Sequence, residues 1–255
     1  RGQVNHQVLK EYYNAYQEEI RAHIMGEKDF NPEETYDFIV SKIRDNMNLL
    51  NIDLDSKLWQ LRIENNASRI LEFIQSDLNR LSRMKKKIVP VGYEISFGRT
   101  KPFQIEIDGM KIPFAGVIDR IDKYVDEDKY IIIDYKNSSS NIRDIGHMKA
   151  GLSLQLPIYI MSQERQVVAA FYGIISTGEF QAKLGHVDEK NLISKTNRGA
   201  LTEEELEELL NTTKQHIKFF IESILAGNFS VNPLECSSYC IYRQICRYKQ
   251  TWEVE

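Results

Sequence analysis

Apolar positions in the first third of the chain recur every three or four residues, the period of a helix with one buried face. Val8, Leu9, Tyr12, Tyr16 and Ile20 mark a helix over residues 3–24. Asn31-Pro32 is a helix start, because asparagine caps free amides and proline loses nothing at the first helical position. That helix runs to about residue 48. Leu58, Leu61, Ile63, Ile70, Leu71, Ile74, Leu78 and Leu81 carry a long helix over 56–86. After Pro90 the period shortens toward two, and residues 91–97, 103–107 and 112–124 become strand candidates. Asp108-Gly109 supplies a tight hairpin turn among them. Helical spacing returns over 149–163, where Pro157 predicts a kink. Residues 167–175 and 180–184 form a strand pair around Thr177-Gly178, and 188–201 read as a loop. The last helix covers 202–226, with Thr202-x-x-Glu205 as its capping box and Gly227 at its end.

One stretch departs from these patterns in a way that suggests chemistry. Residues 114–124 and 130–136 read as neighbouring strands joined by an acidic turn. Tyr130, Ile131, Ile132 and Ile133 are a continuous apolar run, as in a strand buried on both faces. The run ends in Asp134-Tyr135-Lys136. Side chains alternate along a strand, so Asp134 and Lys136 share the inward-facing side with Ile132. Asp119 lies at a similar level on the preceding strand. Buried charges must be paired or bound to a metal. Two carboxylates and a lysine meeting at one sheet edge therefore predict a metal site with a charge stabiliser beside it. Glu94, between apolar Tyr93 and Ile95, reads either as a carboxylate supporting that site or as a solvated strand residue, with the solvated reading preferred.

Composition sets the outer bounds. With 255 residues, 42% hydrophobic and 10% aromatic, the chain has enough apolar material for a packed core. A net charge of −4 argues against a broad nucleic-acid-coating surface, while leaving room for a local basic groove. The basic end of the long helix (Arg80, Arg83, Lys85, Lys86, Lys87) fits the helix dipole, with phosphate contact as the alternative. No apolar run is long enough to span a bilayer and no signal peptide is seen, so a cytoplasmic protein is expected. The chain opens Arg1-Gly2 without a methionine, as expected of a segment of something longer. All three cysteines, Cys236, Cys240 and Cys246, lie close together, which suits a metal or cluster site better than a disulfide framework.

Phosphodiester hydrolysis needs an activated water, a stabilised transition-state charge and a neutralised leaving oxygen. A divalent cation on carboxylates serves these needs, and Mg²⁺ prefers oxygen ligands while keeping several waters. Asp119, Asp134 and Lys136 make up such a set. Alongside it stand Gly2-x-x-x-His6, Gly116-x-x-Asp119-Arg120-Ile121-Asp122, Asp134-Tyr135-Lys136 and Gln155-Leu156-Pro157-x-Tyr159. In order and spacing these elements resemble the PD-(D/E)XK nuclease superfamily, and within it the RecB-like nuclease domains of bacterial helicase–nuclease complexes, the AddB type among them. The resemblance spans nearly the whole chain. No Walker A loop, H-E-x-x-H or G-x-S-x-G competes with it.

The resemblance implies a restriction-endonuclease-like α/β fold, with a central mixed sheet flanked by helices. One domain over 1–255 is expected: a helical region at 1–88, a catalytic sheet core at 89–186, and a C-terminal helix with a cysteine tail at 187–255. It implies a Mg²⁺- or Mn²⁺-dependent exonuclease acting on DNA, single-stranded or at duplex ends, beside a helicase-like region. The alternative is a catalytically vestigial DNA-binding or scaffolding domain of the same fold. His6, Asp119, Asp134 and the Tyr135 carbonyl would hold the metal. Lys136 would be the catalytic lysine, and Gln155 and Tyr159 would line the site. Arg120 and Asp122, on the opposite face from Asp119, read as a structural pair. Asn137 stands where relatives often carry threonine. Related domains hold a [4Fe–4S] cluster with one cysteine upstream of the histidine and three near the C-terminus. Here the C-terminal set is C-x3-C-x5-C, with a first gap one residue wider than in the AddB pattern, and the upstream cysteine would precede residue 1. Free thiols, zinc and a cluster in the full-length protein all stay open for it.

Overall fold

The structure is a computed structural model, and it describes residues 2–48, 56–194, 196–229, 240–242 and 245–246. The chain divides into two compact units, Arg1–Lys214 and Gln215–Glu255. The first holds every residue of the candidate site except the cysteines. Four helices come first: α1 (Gly2–Ala15), α2 (Gln17–Met25), α3 (Pro32–Asn48) and α4 (Lys57–Arg83). The apolar stripe over 3–24 is thus two helices rather than one. Tyr16 leaves helical geometry between them (φ −112°, ψ 28°) and packs its ring on Tyr12 and Phe38. Asn31 does cap α3, its Oδ1 accepting the Glu34 amide at 3.2 Å.

The strands follow: β1 (Ile88–Phe97), β2 (Phe103–Ile107), β3 (Met110–Phe114), β4 (Gly116–Tyr124) and β5 (Lys129–Lys136). Then come α5 (Ile145–Lys149), α6 (Gln155–Met161), β6 (Gln166–Ile174), β7 (Glu179–His186), β8 (Ala200–Leu201) and α7 (Glu203–Leu225). β2 and β3 make a separate hairpin on the Asp108-Gly109 turn, where both residues have positive φ (49° and 81°), the primed geometry that matches strand twist. The other six form a mixed sheet in the order β1-β4-β5-β6-β7-β8. β1, β4 and β5 pair antiparallel, and β5 and β6 pair parallel across the connection that carries α5 and α6.

Three differences from the sequence expectation have simple causes. The strand expected over 112–124 breaks at Ala115, which separates β3 from β4. β1 starts before Pro90 because it is an edge strand, where a missing amide leaves no neighbour unsatisfied. The helix expected over 149–163 is two short ones, with Gly151 between them at φ 76°. Pro157 therefore falls in the first turn of α6, where amides have no intrahelical partner, and the kink does not arise.

Helices cover both faces of the sheet. On one face α1–α4 pack Leu9, Tyr13, Ile70, Phe73 and Ile74 against Ile131, Ile133, Tyr135 and Phe171. On the other, α5, α6 and the start of α7 bring Met148, Leu156 and Leu209 onto Ile121, Ile132, Ala170 and Tyr172. The β5 residues alternate between the two cores, as a strand buried on both faces requires.

The first core also contains a charge network. Arg120 is fully buried and donates to Asp122 (2.7 and 2.8 Å) and to Asp77 of α4 (2.6 and 3.2 Å). Tyr13 Oη donates to Asp77 at 2.7 Å, and Arg80 adds a second cation at 2.7 Å. Arg80 is thus committed to a buried carboxylate. Lys86 pairs with Glu127 at 2.6 Å, and Lys87 donates to the Ser82 carbonyl at 2.6 Å. Asp122 and Arg120 are the structural pair their strand positions predict, and α1 and α4 are tied to the sheet through them.

Candidate metal and catalytic site

The site lies where β4 and β5 part. Their pairing runs from Lys123↔Tyr130 to Arg120↔Ile133 and stops there, although both strands continue. In the resulting fork Asp119 replaces the missing ladder bond with its side chain, and Oδ2 accepts the Tyr135 amide at 2.6 Å. Alternate carbonyls along a strand point to opposite sides. Lys136 O accepts the Ile175 amide on the β6 side, so the Tyr135 carbonyl points into the fork.

Asp134 continues the β4–β5 register level with Asp119 and is only 2% exposed. Gln155, the first residue of α6, holds it: Nε2 donates to Asp134 Oδ1 at 2.7 Å and to Tyr159 Oη at 2.8 Å. The other end of the same amide, Oε1, accepts from Lys136 Nζ at 2.9 Å. Lys136 Nζ lies 2.6 Å from Asp134 Oδ2 and forms an ion pair with it. Burial raises the Asp134 carboxyl to about 6, the neighbouring Asp119 adds to the rise, and Lys136 opposes it. Burial likewise pushes the Tyr159 hydroxyl up to about 12, so it is a neutral phenol at working pH.

His6 approaches from the first turn of α1, with Nδ1 3.1 Å from Asp119 Oδ1 and its ring edge-on to Tyr135. Burial lowers the imidazole, but the bond to Asp119 and the charges of Asp119, Asp134 and Glu94 together outweigh this and leave His6 above its ordinary value. The histidine is placed by a chain of amides. Asn66 of α4 donates to Asn5 at 2.7 Å, and Asn5 donates to Asn137, just beyond Lys136, at 2.9 Å. A methyl group on Gly2 would come within 3.0 Å of Asn137 Nδ2, so a larger residue there would press on the end of this amide chain.

All seven residues expected at the metal and catalytic site therefore come together: His6, Asp119, Asp134, Tyr135, Lys136, Gln155 and Tyr159. The cysteines are a different matter. Cys236 lies outside the described residues, while Cys240 and Cys246 are free, partly exposed thiols. Two features exceed the sequence reading. The Asn5–Asn66–Asn137 chain had no signal beyond three scattered asparagines. Glu94 is not simply a solvated strand residue: one ligand atom each from His6, Glu94 and Asp119 lie within 4.8 Å of one another.

The donor set is two or three carboxylates, an imidazole and a strand carbonyl, with like charges side by side. Such a set fits a hard divalent cation. A carboxylate–lysine site in the fork of a mixed, helix-flanked sheet defines a class of hydrolytic site, and comparison with known proteins gives the family. The profile of the PD-(D/E)XK nuclease superfamily matches residues 1–247. The chain belongs to that superfamily and is a nuclease-type domain. Among curated proteins it is similar to a subunit of the ATP-dependent helicase/deoxyribonuclease of Carboxydothermus hydrogenoformans, at 28% identity over 64% of this chain and 21% of that one. It is also similar to the equivalent helicase/deoxyribonuclease chain from Alkaliphilus metalliredigens, at 27% identity over 66% of this chain and 20% of that one. The chain thus spans about a fifth of the length of the relatives it matches. Among the described residues, no helix is long and apolar enough to cross a membrane.

Proposed function

We propose that this chain is a Mg²⁺- or Mn²⁺-dependent DNA nuclease domain that acts as an exonuclease on strands or duplex ends delivered by a helicase-like region of a longer, cytoplasmic protein. The observation that carries the reading is the Asp119–Asp134–Lys136–Gln155 constellation, in which every proposed catalytic position is filled by a group able to act. The family and the helicase/deoxyribonuclease relatives support DNA as the substrate.

His6, Asp119, Asp134 and the Tyr135 carbonyl would hold the cation. When bound, it supplies positive charge to the phosphoryl oxygens and acidity to the attacking water. Lys136 Nζ, carried on the same strand face as Asp134, orients that water and donates to the charge that develops on the phosphoryl group. Gln155 fixes both partners at once, because one amide spans the Asp134 carboxylate and the Lys136 ammonium. Tyr159 Oη, a neutral hydroxyl, anchors that amide and lines the path of the phosphate backbone. Asp134 would have to be ionised to take part, since a metal-holding carboxylate is deprotonated.

The C-terminal cysteines, Cys236, Cys240 and Cys246, are proposed as three ligands of a [4Fe–4S] cluster in the full-length protein, on the strength of the resemblance to cluster-bearing nuclease domains and despite a first gap one residue wider than theirs. Iron and acid-labile sulfide assays test this, and metal-free protein with the upstream segment present would end it.

The test of the main proposal is single-turnover cleavage of end-labelled linear DNA with Mg²⁺ or EDTA. Cleavage is expected with Mg²⁺ alone, and Lys136→Ala should slow it by roughly 10²–10³-fold with an unchanged circular dichroism spectrum. Cleavage by Lys136→Ala at the wild-type rate would remove the assignment. No cleavage by the wild-type chain on any linear DNA would favour the vestigial domain.

A further inference from the structure

Glu94 stands out in three independent ways. It is a non-glycine residue at φ 50° in the middle of a strand, a conformation that L side chains rarely adopt. Its carboxylate makes no side-chain hydrogen bond or ion pair among the described residues. It also faces a like charge. Tyr93 pairs with Arg120 and Ile95 with Ile118, so Glu94 lies directly opposite Asp119 across the β1–β4 ladder. Like charges directly opposite each other destabilise a sheet.

The alignment is the product of a bulge. Up to Pro90↔Asp122 the β1–β4 register would bring Tyr93 opposite Asp119. One extra residue at Val91 shifts the register, so that Gly92 meets Ile121 and Glu94 replaces Tyr93 at the Asp119 level. Bulges re-aim side chains in this way. The outcome is a row of three carboxylates across three adjacent strands: Glu94 on β1, Asp119 on β4 and Asp134 on β5. His6 completes the cluster: one ligand atom each from His6, Glu94 and Asp119 lie within 4.8 Å of one another, close enough to share one ion.

We propose that Glu94 is a further ligand of the divalent cation, binding from the β1 side of Asp119 together with His6. The family resemblance gives Glu94 no role, and the inference rests on the divalent-cation reading of the site. The cation removes the repulsion between the facing carboxylates, and the bulge at Val91 is the device that brings the third one to it.

The experiment is titration of Mn²⁺ by calorimetry into EDTA-stripped wild type, Glu94→Gln and Asp119→Asn, with Tb³⁺ luminescence lifetimes in H₂O and D₂O counting waters on the ion. Glu94→Gln is expected to weaken Mn²⁺ by roughly 10–100-fold, the range seen when even a ligand's supporting partner is lost. Its Tb³⁺ complex should carry about one more water, because a vacated oxygen position is refilled by solvent. Its metal-free thermal midpoint should equal or exceed the wild-type value, which guards against a folding defect. Wild-type affinity and water count in Glu94→Gln, with binding lost in Asp119→Asn, would overturn the role of Glu94 while leaving the cation site in place. Failure of the wild type to bind Mn²⁺ would instead remove the functional reading, and the Glu94 inference with it.

Discussion

Asp134→Asn should make the metal-free protein more stable and the nuclease inactive, and the size of the stabilisation follows from the site. The buried Asp134 carboxyl is raised from an ordinary 3.8 to about 6, chiefly by loss of water and then by Asp119. A rise of that size corresponds to about 3 kcal/mol that ionised Asp134 costs the folded state. The sign follows from linkage. A carboxyl whose folded pKa lies above its unfolded value favours the fold when protonated. Its penalty is absent below pH 3.8, grows between 3.8 and about 6, and is complete above that. Asparagine mimics the protonated form, can keep the bond from Gln155 Nε2, and carries no charge at any pH. Urea denaturation of EDTA-treated protein should give nearly equal stabilities near pH 4 and a variant that is more stable by about 3 kcal/mol at pH 8. Saturating Mn²⁺ should close the gap by stabilising only the wild type. A variant less stable than wild type at pH 8, or a difference that does not grow with pH, would refute the reasoning.

Two further outcomes follow from the surroundings of the site. Burial pushes Asp77 up, but Arg120 and Arg80 outweigh it and hold the carboxyl at about 2, while Asp122, sharing Arg120, is left above its ordinary value. Asp77 therefore contributes about 2–3 kcal/mol above pH 3.8, lost as the pH falls toward 2, and Asp77→Asn should show that deficit at pH 7 and less of it at pH 3, read from denaturation midpoints. Asn5→Ala should cost about 1–3 kcal/mol by removing the hydrogen bonds that buried Asn5 makes with Asn66 and Asn137, and should weaken Mn²⁺ binding through a loosened His6; melts and calorimetry check the two effects separately.

The outline of the site was legible because its chemistry violates strand grammar. An apolar run that ends in aspartate and lysine instead of turn residues has one economical explanation, and the β5 residues lie as alternation requires. Arg120 and Asp122 separate from Asp119 by the same parity argument. Glu94 was open to two readings, with the solvated one preferred, because parity fails at a bulge: the extra residue at Val91 leaves no mark in an alternating pattern, yet it decides which β1 side chain reaches Asp119. Asp77 escaped because a single aspartate in a long amphipathic helix looks like any solvated position until a buried arginine is placed opposite it. The split of the expected 149–163 helix turned on Gly151, whose left-handed backbone ends α5 and re-aims the chain so that Gln155 opens α6 facing Asp134 and Lys136. Gln155 and Tyr159 were nevertheless expected on one face, because four-residue spacing survives the shift in helix start.

The central claim is that carboxylates from adjoining strands gather around one divalent ion in the β4–β5 fork. The most direct measurement is an anomalous difference map from crystals soaked in Mn²⁺. A single strong peak is expected, bonded at about 2.0–2.2 Å to oxygens of Asp119, Asp134 and the Tyr135 carbonyl. A peak elsewhere, or none while Asp119 and Asp134 stay side by side, would contradict that claim.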